Sequence, residues 1–201
     1  MKNENKKTRV AEFERKTKET EIFVRVNLDG AGVFSGGLGL PFFEHMLNLF
    51  AKHSLMDIEI KGKGDIEVDW HHTVEDIGIC LGAALKTALG DKKGIERYGN
   101  AYIPMEETLA HTALDLCDRP YLNFSVKYCG ERVGKYDTEL TEEFFRAFAM
   151  NARVTMHIRL LEGGNMHHVH EALFKSAGLA LRQALSCNPR ITTIPSTKGI
   201  L

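Results

Sequence analysis

An internal duplication constrains the fold of this chain more than any other feature. The pattern HHxxE occurs at His71–Glu75 and again at His167–Glu171, 96 residues apart in a chain of 201 residues. Each copy begins a stretch rich in Ala and Leu and free of Pro, which favours a long helix. Because self-similarity at a fixed spacing means that one structural unit is used twice, we expect two related halves.

The repeat extends upstream of the two motifs. The apolar run Leu55–Ile60 and its counterpart Val154–Ile158 follow similar helical segments at an offset of 98. On this register His45 is opposite Glu143. Further upstream, Lys18-Glu19-Thr20 matches Glu106-Glu107-Thr108, each before a strand-like run.

The order of elements predicts an α+β fold. Each half reads as strand, strand, helix, strand, helix, and the alternation in Ile22–Leu28 indicates a sheet with one buried face. Strands that arrive in consecutive pairs disfavour a doubly wound parallel sheet. We interpret Ser35–Gly39 and Cys129–Lys135 as loops. The prediction is two pseudo-symmetric halves, residues 1–92 and 93–201, in one compact unit with sheets packed on helices.

Composition limits the class of protein. With 43% hydrophobic residues, 26% charged residues and a formal net charge of -1, the chain is typical of a globular protein without nucleic-acid partners. No apolar run approaches the roughly 20 residues that span a bilayer, so we expect no membrane partner. The opening MKNENKKTR is interpreted as a solvated tail. Without a secretory segment or a CxxC pair, reduced thiols and a cytoplasmic location are expected.

The duplicated motif indicates a metal site. Neighbouring residues of a helix point about 100° apart, so two adjacent histidines suggest two metal ions, whereas the first His and the Glu of HHxxE share a face. Imidazole and carboxylate without thiolate suit manganese, iron or zinc. The repeat-matched pair completes a set of eight candidate ligands: His45, His71, His72, Glu75, Glu143, His167, His168 and Glu171.

A single HHxxE is more often a polar helix start than a metal site, and the duplication at a fixed spacing is what reverses this interpretation. The remaining histidines carry a weaker signal. His170 has Val74 as its counterpart, so it is either a substrate contact or a bystander. His111 and His157 have no counterpart of ligand type and are interpreted as structural.

Several strings of the chain resemble the imidazoleglycerol-phosphate dehydratase family from end to end. They are Lys16–Thr20, Pro41–Leu47, Asp69–Asp76, His167–Glu171 with Phe174-Lys175, and Pro195–Gly199. The two HHxxE strings in this frame are highly specific to the family, and all eight candidate ligands carry over. One departure is Glu143, where many members have histidine; carboxylate can replace imidazole on manganese.

The resemblance implies a fold and an assembly. The expected halves are ferredoxin-like, of the type seen in the second domain of ribosomal protein S5. The chains are expected to form a hollow homo-oligomer of twenty-four subunits with shared active sites. Each site would hold two Mn²⁺ ions, or other divalent transition metals, at a subunit interface.

The activity implied by the resemblance is dehydration of D-erythro-imidazoleglycerol phosphate to imidazoleacetol phosphate in L-histidine biosynthesis. The expected route uses a dimetal-bound imidazolate and a diazafulvene-like intermediate. Glu19 is the candidate acid/base, and Glu171 and His45 are further catalytic candidates. The expected substrate-binding residues are Glu19, His53, Arg97, Arg119, Lys175, Ser196, Thr197 and Lys198, with Arg97, Arg119 and Lys198 holding the phosphate.

Two other classes stay open. A binuclear metal hydrolase would have a similar metal site, although it usually needs an aspartate-rich set of ligands. A non-catalytic protein, in which metal holds subunits together, leaves Glu19, Arg97, Arg119 and Lys198 without a role. A nucleotide cofactor is disfavoured because Gly36-Gly37-Leu38-Gly39 does not complete GxGxxG.

Overall fold

The computed structural model describes residues 8–201, and most of the predicted N-terminal tail, residues 1–7, lies outside that range. The elements of the first half are β1 (Val10–Lys16), β2 (Thr20–Asn27), β3 (Phe34–Gly36), α1 (Pro41–Ser54), β4 (Asp57–Gly64) and α2 (His71–Leu89). Those of the second half are β5 (Tyr98–Met105), β6 (Thr108–Asp115), β7 (Tyr121–Ser125), β8 (Arg132–Val133), β9 (Tyr136–Asp137), α3 (Leu140–Ala152), β10 (Thr155–Glu162) and α4 (Met166–Leu185).

The two large sheets have the same topology. Their strand orders are β1-β2-β4-β3 and β5-β6-β10-β7. In each sheet the last strand of the order pairs in parallel with its neighbour, and the other pairs are antiparallel. The α+β class and the duplicated halves predicted from the repeat are therefore confirmed.

The predicted element order missed a strand before the first helix of each half. In the first half this strand, Phe34–Gly36, overlaps the predicted loop Ser35–Gly39; it is too short to show an alternating pattern, and its pairing with Ile58–Ile60 defines it. The second predicted loop also contains a strand, Arg132–Val133, which pairs with Tyr136–Asp137. Both short strands depend on their partners rather than on their own side chains.

The helices lie between the two sheets and carry the contacts between the halves. α2 packs on β1 and β2, and α4 packs on β5 and β6. Each also packs on a helix of the other half, since α2 contacts α3 and α4 contacts α1. The predicted buried face of the first sheet is present, because Ile22, Val24 and Val26 are fully buried. One apolar cluster includes residues of both halves, so the halves share a core.

The two helix crossings are equivalent and depend on glycine. A Cβ added to Gly82 would lie 2.6 Å from the carbonyl oxygen of Phe148, and one added to Gly178 would lie 2.8 Å from that of Phe50. Real Cβ atoms do not approach backbone oxygens this closely, so each crossing needs a residue without a side chain. The close approach brings the polar starts of α2 and α4 beside a helix of the other half.

The start of the described chain corrects one expectation. Arg9 was assigned to a solvated tail, but its side chain is only 15% exposed. Its guanidinium donates two hydrogen bonds to Asp29, at 2.7 and 3.0 Å, and one of 2.8 Å to the carbonyl oxygen of Leu185. Arg9 therefore links the edge of the first sheet to the end of α4.

Within residues 8–201, no helix combines the length and apolarity that a bilayer-spanning helix needs.

Candidate active site

Residues of both halves meet where α1 crosses the start of α4. Nε2 of His45, from α1, and Nε2 of His167, from α4, each lie 2.9 Å from the same carboxylate oxygen of Glu171. One helical turn separates His167 from Glu171, which places both on one face of α4. The Asn165 side chain caps this helix by accepting a hydrogen bond from the backbone N–H of His167. Three predicted ligands therefore converge on one point.

The electrostatics of this cluster favour a carboxylate that stays ionised. Burial opposes the charge of Glu171, but hydrogen bonds from Lys175, His45 and His167 outweigh it and lower its pKa to about 2. Nζ of Lys175 donates at 2.5 Å to the second oxygen of Glu171. His53 lies close enough to Lys175 for the ammonium charge to add to the effect of burial, and both lower the imidazole pKa.

A second cluster lies at the start of α2. Nδ1 of His72 is 3.0 Å from a carboxylate oxygen of Asp65 and 3.8 Å from one of Glu19. The hydrogen bond with Asp65 is the main reason that the pKa of His72 is raised.

The turn between β1 and β2 positions Glu19 in this cluster. The hydroxyl of Thr17 accepts hydrogen bonds from the backbone N–H groups of Glu19 and Thr20, at 3.0 and 2.9 Å. The hydroxyl of Thr20 donates to the buried carboxylate of Asp76 in α2. The turn is therefore held against the helix, while the side chain of Glu19 remains 56% exposed.

A third cluster repeats this arrangement at the start of α4. Nδ1 of His168 lies 3.0 Å from one carboxylate oxygen of Glu107, and the backbone N–H of Asn165 donates to the other at 2.7 Å. These two contacts lower the pKa of Glu107 to about 2, with the backbone N–H as the larger cause. Glu106 completes the group.

Sequence reasoning missed Asp65, Glu106 and Glu107 as members of these clusters. One signal for Glu107 was present, because the repeat aligns it with Glu19.

Three of the predicted ligands are not brought together. Within residues 8–201, no group of three or more ligand-type residues with atoms within 4.8 Å of one another includes His71, Glu75 or Glu143. A carboxylate oxygen of Glu143 instead lies 3.8 Å from Nε of Arg146, one turn along α3. These three residues remain predicted ligands.

Three of the histidines outside the ligand set, His111, His157 and His170, have structural surroundings. His170 is fully buried, its ring stacks on Tyr128 with centroids 5.1 Å apart, and its Nδ1 lies 2.7 Å from the carbonyl oxygen of Met166. This burial favours the bystander interpretation over a substrate contact. His111 stacks on Tyr102, and the ring of His157 lies 5.7 Å from that of Tyr121.

Two of the three predicted phosphate-binding residues, Arg97 and Arg119, lie around Asp115. Arg97 donates two hydrogen bonds to this carboxylate, at 2.7 and 3.0 Å, and a guanidinium nitrogen of Arg119 lies 3.6 Å from it. Arg97 also donates at 2.8 Å to the carbonyl oxygen of Pro195, which precedes Ser196, Thr197 and Lys198. Two cations therefore share one anion, which leaves a net positive charge beside the C-terminal segment.

This group and the third cluster lie at opposite ends of β6. Glu107 directly precedes the strand and Asp115 ends it, and its 8 residues span about 23 Å at the usual rise per residue. A small phosphate ester cannot contact His168 and Arg97 of the same chain across that distance.

The donor chemistry fits a divalent transition metal. The three clusters offer imidazole nitrogens and carboxylate oxygens, and they contain no cysteine. Such ligands suit manganese, iron or zinc better than calcium or a soft metal. His45, His167 and Glu171 would hold one ion, and His72 and His168 offer further imidazoles.

Comparison with known proteins gives a consistent result. A family model described as imidazoleglycerol-phosphate dehydratase matches residues 38–181. The chain is 54% identical over 194 residues to the imidazoleglycerol-phosphate dehydratase of Moorella thermoacetica, an alignment that covers 96% of this chain and 99% of that protein. It is 54% identical over 193 residues to the enzyme of the same name from Caldanaerobacter subterraneus subsp. tengcongensis, with 96% and 100% covered.

Two solved structures are similar over most of the chain. The imidazoleglycerol-phosphate dehydratase of Staphylococcus aureus superposes with a TM-score of 0.81 at 42% identity, covering 89% of this chain and 99% of that one. IGPD from Pyrococcus furiosus, in complex with (S)-C348, gives a TM-score of 0.80 at 35% identity, with 94% and 99% covered.

Proposed function

Because this chain belongs to the imidazoleglycerol-phosphate dehydratase family and is therefore a hydro-lyase, we propose that it dehydrates D-erythro-imidazoleglycerol phosphate to imidazoleacetol phosphate in L-histidine biosynthesis. The observation that carries the proposal is the convergence of His45, His167 and Glu171 from the two halves. His167 and Glu171 belong to the second HHxxE motif, and His45 reaches them only because α1 crosses α4.

We propose Mn²⁺ as the cofactor, with two ions in each active site. The imidazole and carboxylate donors support this choice, although they also suit other divalent transition metals. When bound, the cations would supply positive charge that makes deprotonation of an imidazole ring accessible near neutral pH. His71, Glu75 and Glu143 remain proposed ligands, together with the five residues of the clusters described above.

Two glutamates, Glu171 and Glu19, would have different roles at the site. Glu171 has a pKa of about 2, so it stays a carboxylate at neutral pH and suits a metal ligand beside His45 better than a proton donor. Glu19 has an exposed side chain on a turn whose backbone is held in place. We therefore propose that Glu19 carries the protons, because a general acid/base must reach the substrate and exchange protons there.

The reaction removes one hydroxyl group and one hydrogen atom of the substrate as water. In the proposed route, the deprotonated ring supplies electrons that expel hydroxide, which gives a diazafulvene-like intermediate. A second proton removal gives an enol that converts to the ketone of the product. Glu19 would take and return the protons. His53 and Lys175, next to Glu171, would contact the substrate, and the ammonium group of Lys175 would add positive charge.

The substrate phosphate would bind to Arg97, Arg119 and Lys198, with Ser196 or Thr197 as hydrogen-bond donors. Charge-assisted hydrogen bonds to phosphate are strong. Arg97 already contacts the C-terminal segment through the carbonyl oxygen of Pro195, so the guanidinium and the segment would form one binding surface.

We propose that the active site is shared between copies of the chain in a homo-oligomer of twenty-four subunits. The length of β6 supports a shared site, since it separates His168 from Arg97 by more than the length of the substrate. The number of subunits follows from the family resemblance alone. A cytoplasmic location is part of the same proposal.

The experiment that tests the function is turnover of imidazoleglycerol phosphate by chelator-stripped protein, with and without Mn²⁺. We expect formation of imidazoleacetol phosphate only after Mn²⁺ is added. Absence of product from a folded protein that binds Mn²⁺ would contradict the proposal and would favour a metal hydrolase or a metal-linked structural protein.

A mixing experiment tests the shared site. Arg97→Ala and His168→Ala subunits, each inactive or impaired alone, are dissociated, mixed and reassembled. If one site takes Arg97 and His168 from different chains, mixed oligomers regain up to about a quarter of the wild-type sites by random combination. If both residues serve one site within a chain, mixing restores no activity, and the shared site is wrong.

A further inference from the structure

We infer that Asp65 and Glu107 are positioning residues, which orient His72 and His168 for a divalent cation by binding Nδ1 of each ring. The inference rests on the proposed metal dependence. It assigns a role to two carboxylates outside the predicted ligand set.

The same contact occurs in both halves. His72 and His168 are equivalent residues of the two HHxxE motifs, 96 positions apart. In each, Nδ1 lies 3.0 Å from a carboxylate oxygen, of Asp65 in the first half and of Glu107 in the second. The carboxylates come from different places, since Asp65 follows β4 and Glu107 lies in the turn between β5 and β6. Both halves therefore place a carboxylate beside the same ring nitrogen by different routes.

This contact determines which nitrogen is available. A neutral imidazole that donates its Nδ1–H to a carboxylate has its lone pair on Nε2, and a metal-binding histidine usually donates its other N–H in this way. The carboxylate also fixes the rotation of the ring. Asp65 and Glu107 would therefore leave Nε2 of His72 and His168 as the metal-binding atoms.

The first cluster shows the opposite orientation. There Nε2 of His45 and Nε2 of His167 both point to Glu171, as expected of groups that would surround one ion. In the other two clusters the contact is on Nδ1. Glu171 therefore contacts Nε2, the nitrogen that would bind the ion, whereas Asp65 and Glu107 contact the other nitrogen of the ring.

The second oxygens of the two carboxylates have different surroundings. The oxygen of Glu107 that does not contact His168 accepts the 2.7 Å hydrogen bond from the backbone N–H of Asn165, the residue that caps α4. The corresponding oxygen of Asp65 is enclosed by the described part of the chain, with no hydrogen-bond partner there. The second oxygen of Glu107 is therefore engaged and not available to an incoming ion, which suits a supporting role, whereas Asp65 contacts His72 through its other oxygen.

The test is a titration of metal-free protein with Mn²⁺, in which electron paramagnetic resonance measures the concentration of the free ion. We expect Asp65→Ala and Glu107→Ala to raise the Kd for Mn²⁺ by about 10- to 100-fold, the usual effect of losing a group that orients a metal ligand. The number of ions bound at saturation should stay that of the wild type. Asp65→Asn and Glu107→Gln keep an oxygen that accepts from Nδ1, so they should lose less affinity than the alanine variants.

The matched controls are Glu67→Ala and Glu162→Ala, which remove a carboxylate near each cluster without removing the Nδ1 contact. Their Kd values should stay near that of the wild type. The inference would be overturned by an unchanged Kd in Asp65→Ala and Glu107→Ala, or by an equal loss of Mn²⁺ affinity in the controls. Fewer ions bound at saturation would also overturn it. Mn²⁺-dependent turnover of the wild type tests the proposed function separately, so the two failures can be told apart.

Discussion

Nε2 of His45 lies 2.9 Å from a carboxylate oxygen of Glu171, although 126 residues separate the two along the chain. His45 belongs to the first half and Glu171 to the second, and the crossing of α1 and α4 is what joins them. The duplication therefore does more than repeat a motif. It lets a helix of one half complete the ligand set of the other.

The first prediction concerns the metal ligands of this cluster. His167→Ala and Glu171→Gln should each lower the affinity for Mn²⁺ and reduce turnover by at least about 100-fold, because a lost ligand should cost no less than a lost supporting group. Metal content after dialysis and the rate of product formation measure this. His157→Ala, which changes a histidine beside Tyr121 on the second sheet, is the control. Wild-type metal content in Glu171→Gln would show that the carboxylate is not a ligand.

The second prediction concerns glycine at the helix crossings. Gly82→Ala and Gly178→Ala each place a Cβ less than 3.0 Å from a backbone oxygen of the crossing helix. We expect each to lower the free energy of unfolding by about 1–3 kcal/mol, as overpacking in a core does. Thermal unfolding of the metal-free protein measures the change. Gly37→Ala, where the added Cβ meets no atom within 4 Å, should leave the melting temperature within the error of the wild type.

The third prediction concerns pH. Burial lowers the pKa of His170 in the folded protein below its ordinary value of 6.5. The unfolded chain then binds the proton more readily, so the contribution of His170 to stability is complete above pH 6.5 and is lost as the pH falls below it. The slope from this one group is at most about 1.4 kcal/mol per pH unit.

Comparison of the wild type with His170→Phe checks this effect. Urea unfolding of both metal-free proteins at pH 7.5, 6.5 and 5.5 gives the slope of stability against pH. The wild type should lose stability more steeply below pH 6.5 than the variant. Parallel slopes would show that His170 protonates equally well in the folded and unfolded states.

The fourth prediction separates phosphate binding from metal binding. Arg97→Ala removes the guanidinium that joins Asp115 to the C-terminal segment. We expect KM for imidazoleglycerol phosphate to rise by about 10- to 100-fold, equivalent to about 1.4–2.7 kcal/mol of lost binding, with Mn²⁺ content unchanged. Arg25→Ala, on the exposed face of the first sheet, is the control. Loss of metal from Arg97→Ala would show that its role is misassigned.

Much of the fold and part of the site were predictable because the repeat carries spatial information. The offset of 98 that aligned the two halves also matched His45 with Glu143. These residues lie in α1 and α3, so the helix of one half indicated the position of the helix in the other. The third strand of each half was missed because a strand such as Phe34–Gly36 is defined by its partner. Local sequence contains no signal for such pairing.

Asp65 and Glu107 show a second limit of prediction from the sequence. Glu107 has a repeat counterpart in Glu19, and each lies beside the equivalent histidine, 3.0 Å from Nδ1 of His168 and 3.8 Å from Nδ1 of His72. Of the two glutamates, only Glu107 accepts a hydrogen bond from the cap residue of a helix. Asp65 has Gly163 as its counterpart at an offset of 98. A residue that has a role in one half alone cannot be found by comparing the halves. The role of Asp65 is visible only in the structure, where the loop after β4 contacts α2.

The central claim is that the crossing of the two halves builds a metal centre, and anomalous diffraction from crystals of Mn²⁺-loaded protein tests it most directly. The account predicts a manganese peak about 2.0–2.3 Å from Nε2 of His45, Nε2 of His167 and a carboxylate oxygen of Glu171, and a second peak bound by imidazole groups of the other clusters. Fully loaded crystals whose manganese peaks lie away from His45, His167 and Glu171 would contradict it.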